Sequence, residues 1–206
     1  MFGFFKNKKA AEKAADTSTS TEREMEQMND YYEITIAGCT RRLKKFAVND
    51  KLDIAAFILF GDVEITEKSA EALLAKLPEF DLILTPEAKS IPLAYEMSRQ
   101  SGKKYIVARK GLKVYMGKAL SVDDKSITTQ GLQKLYLGED DAAELKGKRV
   151  VVLDDVISTG GSLNAAIALA EQAEANIVAK CAVLSEGDAN GRDDIIVLGN
   201  LPLFFK

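Results

Sequence analysis

Two adjacent carboxylates, followed by a loop rich in glycine and hydroxyl groups, are the residues of this chain best suited to chemistry. Asp154 and Asp155 end an apolar run, and a helical pattern begins near Ser162. The loop after them consists of Ile157, Ser158, Thr159, Gly160, Gly161 and Ser162. Glycine lets the backbone approach an anion closely, and the N–H groups at a helix N-terminus bind phosphate. The pattern predicts a phosphate site, unless the acidic pair only caps a helix and the glycines only form a turn.

The two carboxylates suit a different ligand from the loop, because they would repel a phosphate. Vicinal hydroxyl groups or a bridging cation fit them better, and a phosphorylated sugar would supply both a phosphate and hydroxyls. The segment contains neither the GxxxxGK[ST] loop of nucleoside triphosphatases nor the GxGxxG fingerprint of dinucleotide-binding folds. These absences exclude the first nucleotide site and disfavour the second.

The elements that would position these residues alternate between short apolar runs and helical patterns. This alternation predicts an α/β fold, a mostly parallel sheet with helices on both faces. Thr66 is the expected N-cap of the first helix and Pro78 its stop signal, whereas segment 111–149 indicates a long loop or β-excursion. The predicted sheet strands are 81–85, 103–110, 150–155, 176–187 and 193–199, and an earlier strand begins near Tyr31.

Composition narrows the possible functions. The 206 residues include no histidine, which excludes Ser-His-Asp and Cys-His catalysis and every His-ligated zinc site. A net charge of −3 argues against nucleic-acid binding, and no apolar run reaches the ~18 residues of a membrane span. Cys39 and Cys181 are expected to be buried thiols in a reducing cytoplasm, and residues 1–28 a flexible polar tail.

The run VVVLDDVISTGGS resembles the phosphoribosyl-diphosphate (PRPP) signature of the type I phosphoribosyltransferases. The resemblance implies that Asp154 and Asp155 contact the ribose hydroxyls and that Ile157 to Ser162 hold the 5-phosphate. It covers residues 29–206 and implies a small hood over the active site, formed by 29–60 and 188–206. Candidate hood residues are Arg41, Arg42, Lys44 and Phe46, although surface charges and a core aromatic explain them equally well.

Two further segments resemble the diphosphate site of this family, most closely that of the adenine phosphoribosyltransferases. LILTPEAKSIPLA implies that Glu87, Ala88, Lys89 and Ser90 form the diphosphate turn, and IVARKGLKVYMGK adds Arg109, Lys110 and Lys113. The family often has Arg-Gly where this chain has Lys89-Ser90, and lysine lacks the bidentate fork of arginine. Without the PRPP signature, these cations would be read as solvated charges and a basic surface turn.

The segment Ser121–Leu132 is where the chain departs from its relatives. Adenine-type enzymes carry a Tyr-x-x-Glu-Tyr-Gly-like stretch in the mobile loop that closes on the substrate, whereas this chain reads SVDDKSITTQGL. Lys125, Ser126, Thr128 and Thr129 offer contacts to a phosphate, but no catalytic residue is assigned. The nucleobase and the proton relay therefore stay open.

The resemblance implies transfer of the 5-phosphoribosyl group from PRPP to a purine base, with adenine expected, giving a nucleoside monophosphate and diphosphate. Mg²⁺ is expected to enter with PRPP rather than on protein ligands, and the family favours a homodimer. Three alternatives remain. One is a PRPP-sensing regulator without catalysis, another is a phosphoribosyltransferase for xanthine, hypoxanthine or guanine, and the third is a phosphosugar hydrolase or synthase.

Overall fold

The computed structural model describes residues 30–124 and 133–206. The predicted tail 1–28 and residues 125–132 of the predicted mobile segment lie outside the described residues. The chain divides into two compact units. Of the described residues, the main unit comprises 35–40, 57–124 and 133–203, and the small unit comprises 30–34, 41–56 and 204–206.

The described residues form eleven strands and four α-helices. The strands are β1 (Tyr31–Ile36), β2 (Cys39–Asn49), β3 (Leu52–Ala55), β4 (Leu82–Pro86), β5 (Lys104–Ala108), β6 (Leu120–Asp124), β7 (Gln133–Leu137), β8 (Arg149–Ile157), β9 (Asn176–Glu186), β10 (Gly199–Leu201) and β11 (Phe204–Phe205). The helices are α1 (Val63–Leu74), α2 (Ile91–Ser101), α3 (Glu139–Leu145) and α4 (Gly161–Gln172). None of these helices is long and apolar enough to cross a membrane.

The main unit is built on a five-stranded sheet in the order β10-β9-β8-β4-β5, in which all neighbouring strands run parallel. Strand β8 is buried along nearly its whole length, as expected for a central strand covered on both sides. Because the strands are parallel, the carboxyl ends of β4 and β8 meet at one edge of the sheet. The predicted α/β architecture is confirmed.

Helices cover both faces of this sheet. On one face α3, α4 and β7 complete an apolar cluster with alternate residues of β4 and β8, including Leu84 and Val152. The residues between them, such as Ile83, Val151 and Leu153, are equally buried and point to the other face, where α2 contacts β4 and packs against α1. The two cysteines are buried and free, as predicted, and burial beside Asp154 raises the pKa of the Cys181 thiol to about 12.

The small unit is formed by the sheet β1-β2-β3-β11. The Tyr32 and Phe204 rings meet edge to face with centroids 5.4 Å apart. Of the predicted hood residues, Arg42 stacks 4.9 Å from the centre of the Tyr31 ring, and Lys44 lies 5.6 Å from that of Phe46. From the C-terminal segment that was expected in the hood, only 204–206 belong to this unit, because β10 pairs with β9 in the main sheet.

Three element predictions differ from the structure. Asp62, not Thr66, caps α1, since its Oδ1 accepts the Ile65 N–H at 3.4 Å, and Thr66 lies inside the helix with its hydroxyl donating to the Asp62 carbonyl. The predicted strand 193–199 touches β9 through a single bridge at Ile196, because regular pairing begins only at β10. Segment 111–149 contains the antiparallel hairpin β6–β7, which agrees with the predicted β-excursion, but it also contains the helix α3, which was not predicted.

Candidate functional site

Asp154 and Asp155 lie near the carboxyl end of β8, where ligands bind in open α/β sheets. Their exposed fractions are 8% and 4%, so both carboxylates are almost fully removed from water. The Asp155 N–H donates to Asp154 Oδ1 at 2.9 Å. Burial and the neighbouring Asp155 charge raise the pKa of Asp154 well above its usual value.

Asp155 has one cation beside it. The Lys89 Nζ lies 2.8 Å from Asp155 Oδ2, and half of the Lys89 side chain is exposed. This contact is an ion pair whose geometry does not meet the angular criteria of a hydrogen bond. In the described part of the chain, no donor makes a hydrogen bond to Asp155 Oδ2. A buried carboxylate oxygen without a donor costs free energy, so a ligand hydroxyl that donates to it would be bound favourably.

The loop after Asp155 joins β8 to α4. Ile157 is the last residue of β8, and its side chain packs in the apolar cluster, so that only its backbone borders the loop. Gly160 is the N-cap of α4 with φ 77°, a left-handed conformation that favours glycine, and no side chain caps the helix. The N–H groups in the first turn of α4 have no carbonyl four residues before them inside the helix, which is the usual reason that anions bind at a helix N-terminus. Thr159 is exposed, and Ser158 and Ser162 are half-buried.

The turn after β4 is fixed by side-chain hydrogen bonds. The Ser90 hydroxyl is buried, lies 2.7 Å from the Thr85 hydroxyl and donates to the Pro86 carbonyl at 3.1 Å. The Thr85 hydroxyl also donates to the Leu153 carbonyl of β8 at 3.0 Å. The Ser90 hydroxyl therefore points inward and ties the turn to β8, whereas Ala88 and Lys89 are exposed.

Glu87 holds the second cationic segment next to this turn. Its carboxylate accepts the Lys110 N–H at 2.8 Å and the Arg109 Nε–H at 3.2 Å. The Lys110 N–H and the Arg109 guanidinium lower the pKa of Glu87. Glu87 therefore orients this segment through its carboxylate. The side chains of Lys110 and Lys113 are exposed, and that of Arg109 is half-buried.

Sequence reasoning missed Glu186, which ends β9 next to β8 in the parallel sheet. Burial raises the pKa of its carboxyl group, and the Lys89 charge opposes that shift. Lys89 therefore acts on both Asp155 and Glu186. The available signal was an acidic residue at the carboxyl end of a predicted central strand, the same position that identified Asp154 and Asp155.

A resident metal ion finds little support in the donor set. No group of three or more acidic, histidine or cysteine side chains arranged to hold a metal occurs within residues 30–124 and 133–206. Mg²⁺ is commonly bound through one or two carboxylates together with substrate phosphates. The carboxylates of Asp154 and Asp155 are oxygen donors of the type that Mg²⁺ prefers.

Comparison with known proteins points to one family. A family model described as a phosphoribosyl transferase domain matches residues 63–198. A hypoxanthine/guanine phosphoribosyltransferase of Methanococcus voltae is 36% identical over 54% of this chain and 56% of its own length. A purine biosynthesis transcriptional repressor of Bacillus subtilis is 32% identical over 58% of this chain and 40% of its own length. The chain thus spans about half the length of these two relatives.

Other relatives align over more of the chain. An adenine phosphoribosyltransferase of Rhodococcus jostii is 31% identical over 70% of this chain and 78% of its own length. Among solved structures, the adenine phosphoribosyltransferase of Thermoanaerobacter pseudethanolicus superposes with a TM-score of 0.60 at 24% identity. The superposition covers 85% of this chain and 98% of that one. At this identity the likeness shows a shared fold.

Proposed function

Because the chain belongs to the phosphoribosyl transferase domain family, we propose that it transfers the 5-phosphoribosyl group of PRPP to a purine base, adenine. The observation that carries the proposal is the buried Asp154–Asp155 pair, which lies between a helix N-terminal loop and the Lys89 ammonium group. The site thus offers an anion-binding loop, then acceptors for hydroxyl groups, then a cation. PRPP carries its 5-phosphate, its ribose hydroxyls and its diphosphate in the same order.

In the proposed reaction each group has one task. The loop 157–162 binds the 5-phosphate, and Asp154 and Asp155 accept hydrogen bonds from the ribose hydroxyls. Lys89, Arg109, Lys110 and Lys113 face the diphosphate and stabilise the charge that develops as it departs. Mg²⁺, when bound with PRPP, would neutralise part of that charge.

The bond changes balance without a protein nucleophile. N9 of the base forms a bond to C1 of the ribose while the bond from C1 to the diphosphate oxygen breaks. The bonding electrons leave with diphosphate, and the proton from the base nitrogen passes to a carboxylate or to the departing diphosphate. Since the chain has no histidine, the protein contributes mainly by positioning both substrates and by charge stabilisation.

Adenine is proposed because several of the relatives that align over more than half of the chain are adenine phosphoribosyltransferases. Hypoxanthine or guanine is the alternative base, since a relative of 36% identity carries that name. The proposal further includes a cytoplasmic location and a homodimer, both of which rest on the family resemblance.

The test is a product assay with PRPP, Mg²⁺ and one base at a time from adenine, hypoxanthine, guanine, xanthine, orotate and uracil. Nucleoside monophosphate and diphosphate are expected with adenine and should be lost in Asp155→Asn. Product with another purine alone would replace adenine as the substrate. No product with any base would overturn the enzyme proposal.

A second candidate function is a PRPP-responsive regulator without catalysis. The observation that favours it is the similarity to a transcriptional repressor of purine biosynthesis. PRPP binding by calorimetry, together with the absence of product in the assay above, would support the regulator. Absence of PRPP binding would overturn both candidates.

A further inference from the structure

Arg192 lies beside the loop that follows β8, although it is distant from this loop in sequence. A Cβ atom built on Gly160 would lie 3.5 Å from Arg192 Nη1 and 3.7 Å from Asn164 Nδ2. Gly160 is the N-cap of α4, the position at which the N–H groups of the first helical turn begin. The Arg192 guanidinium is therefore the positive group next to the opening of α4.

The guanidinium is oriented by an ion-pair network on its other side. Arg192 Nε and Nη2 each donate to Asp194 at 2.8 Å, a bidentate contact that fixes the plane of the group. Lys180 Nζ lies 2.7 Å from Asp194 Oδ2, which anchors the carboxylate to β9. Within the described residues Arg192 Nη1 makes no hydrogen bond. This nitrogen lies on the side of the guanidinium that faces Gly160.

The loop itself contains no cation. Residues 157–162 offer backbone N–H groups and three hydroxyls, whereas the carboxylates of Asp154 and Asp155 precede them on β8. The cations at the strand ends, Lys89 and the group around Arg109, lie with the turn after β4. Among the described residues, Arg192 is therefore well placed to supply a formal counter-charge to a phosphate dianion at the loop.

We propose that Arg192 is a further binding residue for the sugar phosphate, with Nη1 donating to a phosphate oxygen. Asp194 and Lys180 are its positioning residues. The inference rests on the proposed function, because it takes the ligand of the loop to be a 5-phosphorylated ribose. It assigns separate cations to the two anionic ends of PRPP, Arg192 to the 5-phosphate and Lys89 with its neighbours to the diphosphate.

The test measures binding of ribose 5-phosphate and of diphosphate separately, by calorimetry on the full chain. Arg192→Ala should bind ribose 5-phosphate roughly tenfold more weakly or worse, because a charge-assisted hydrogen bond is lost. Its affinity for diphosphate should not change. Arg192→Lys, which keeps the charge but not the fork, should recover part of the affinity.

Arg99→Ala is the matched control. Arg99 makes the same kind of two-point contact to a carboxylate, with Nε 2.9 Å and Nη2 2.7 Å from Glu96, but it lies on α2. Its replacement removes one positive charge and one bidentate pair without touching the loop. Ribose 5-phosphate should bind to this variant as it does to the wild-type chain.

Asp194→Asn tests the positioning role. We expect a higher KM for PRPP at unchanged kcat, and a smaller effect than that of Arg192→Ala. Equal ribose 5-phosphate affinity in wild type, Arg192→Ala and Arg192→Lys would overturn the inference and leave the proposed function standing. Failure of the wild-type chain to bind ribose 5-phosphate or PRPP would instead overturn the proposed function itself.

Discussion

The loop Ile157–Ser162 and the turn Glu87–Ser90 follow neighbouring parallel strands, β8 and β4, yet they are built in opposite ways. The loop has a left-handed glycine, no side-chain cap and no cation, and offers backbone N–H groups. The turn is held by the hydrogen bonds of Ser90 and Thr85, and presents the charge of Lys89. One region is suited to an anion through its backbone, and the other through a half-exposed lysine side chain.

This difference explains why the loop after β8 was easier to predict from the sequence than the turn after β4. Backbone recognition needs glycine at a fixed place between a strand and a helix, which leaves a specific pattern. Side-chain recognition needs only a cation within reach, and Lys89 satisfies this from a turn whose sequence differs from that of its relatives. Four changes test or sharpen the contrast, in order of expected effect.

Lys89→Met should have the largest effect. It removes the charge facing diphosphate, and we expect a loss of about 1.5–3 kcal/mol, roughly 10- to 150-fold, in diphosphate affinity measured by calorimetry. Lys104→Met is the control, since Lys104 pairs with Glu144 at the start of β5, away from the strand ends that carry the site. An unchanged diphosphate affinity in Lys89→Met would contradict the proposal that the turn binds the anion through the charge of Lys89.

Gly160→Ala should come next. An L-residue at φ 77° costs about 1–2 kcal/mol of unfolding free energy, and the distorted loop should bind ribose 5-phosphate less well. Gly102→Ala imposes a similar strain at φ 70°, but at the C-terminus of α2. Both variants should be destabilised in urea, whereas only Gly160→Ala should lose ligand affinity; equal affinities in the two variants would contradict backbone recognition.

Asp154→Asn should stabilise the protein without ligand while weakening PRPP binding. The folded pKa of Asp154 is raised, so its stabilising contribution is present below the unfolded value of about 3.8 and is lost as pH rises through the folded pKa. At pH 7 the variant should unfold at a higher urea concentration than the wild-type chain, and this difference should shrink toward pH 4.

Asp50→Asn, at an exposed carboxylate of the small unit, is the control for this pH series. Its unfolding free energy should follow that of the wild-type chain at each pH. A loss of stability in Asp154→Asn at pH 7 would show that the carboxylate is already satisfied in the unligated protein.

Ser90→Ala should have the smallest effect. It removes the hydroxyl that joins the turn to Thr85 and Pro86, at a cost of about 1 kcal/mol in unfolding free energy. Because the hydroxyl points inward, diphosphate affinity should fall far less than in Lys89→Met. A loss of affinity equal to that of Lys89→Met would instead give Ser90 a direct contact with the ligand.

The sequence predicted the sheet and the loop after β8 because both depend on local pattern. Apolar runs identified β4, β5, β8 and β9, and the DDxxxTGGS spacing located the acidic pair. The N-terminus of α1 shows how far local pattern can predict a helix boundary. Asp62 and Thr66 are both residue types that cap helices, and only the folded structure selects Asp62. The segment 193–199 is as apolar as a strand, but it pairs with β9 through one bridge.

Contacts between distant parts of the chain were the least predictable features of the site. The positions of Glu186 and Arg192 depend on how β9 and the segment after it run beside β8, which no short motif records. The direction of the Glu87 side chain was equally hard to predict, since its carboxylate accepts the Arg109 Nε–H and the Lys110 N–H from a later segment. Side-chain direction in a turn depends on the partners that folding brings close.

The hydrogen bond from Thr85 to the Leu153 carbonyl has a consequence for how such a protein can change over evolutionary time. It ties the two proposed anion sites to adjacent central strands, where nearly every substitution also disturbs the core. The hairpin β6–β7 and the small unit lie outside that sheet, and tolerate variation more readily. Substitutions in these outer elements should therefore disturb the two proposed anion sites less often than substitutions in β4 or β8.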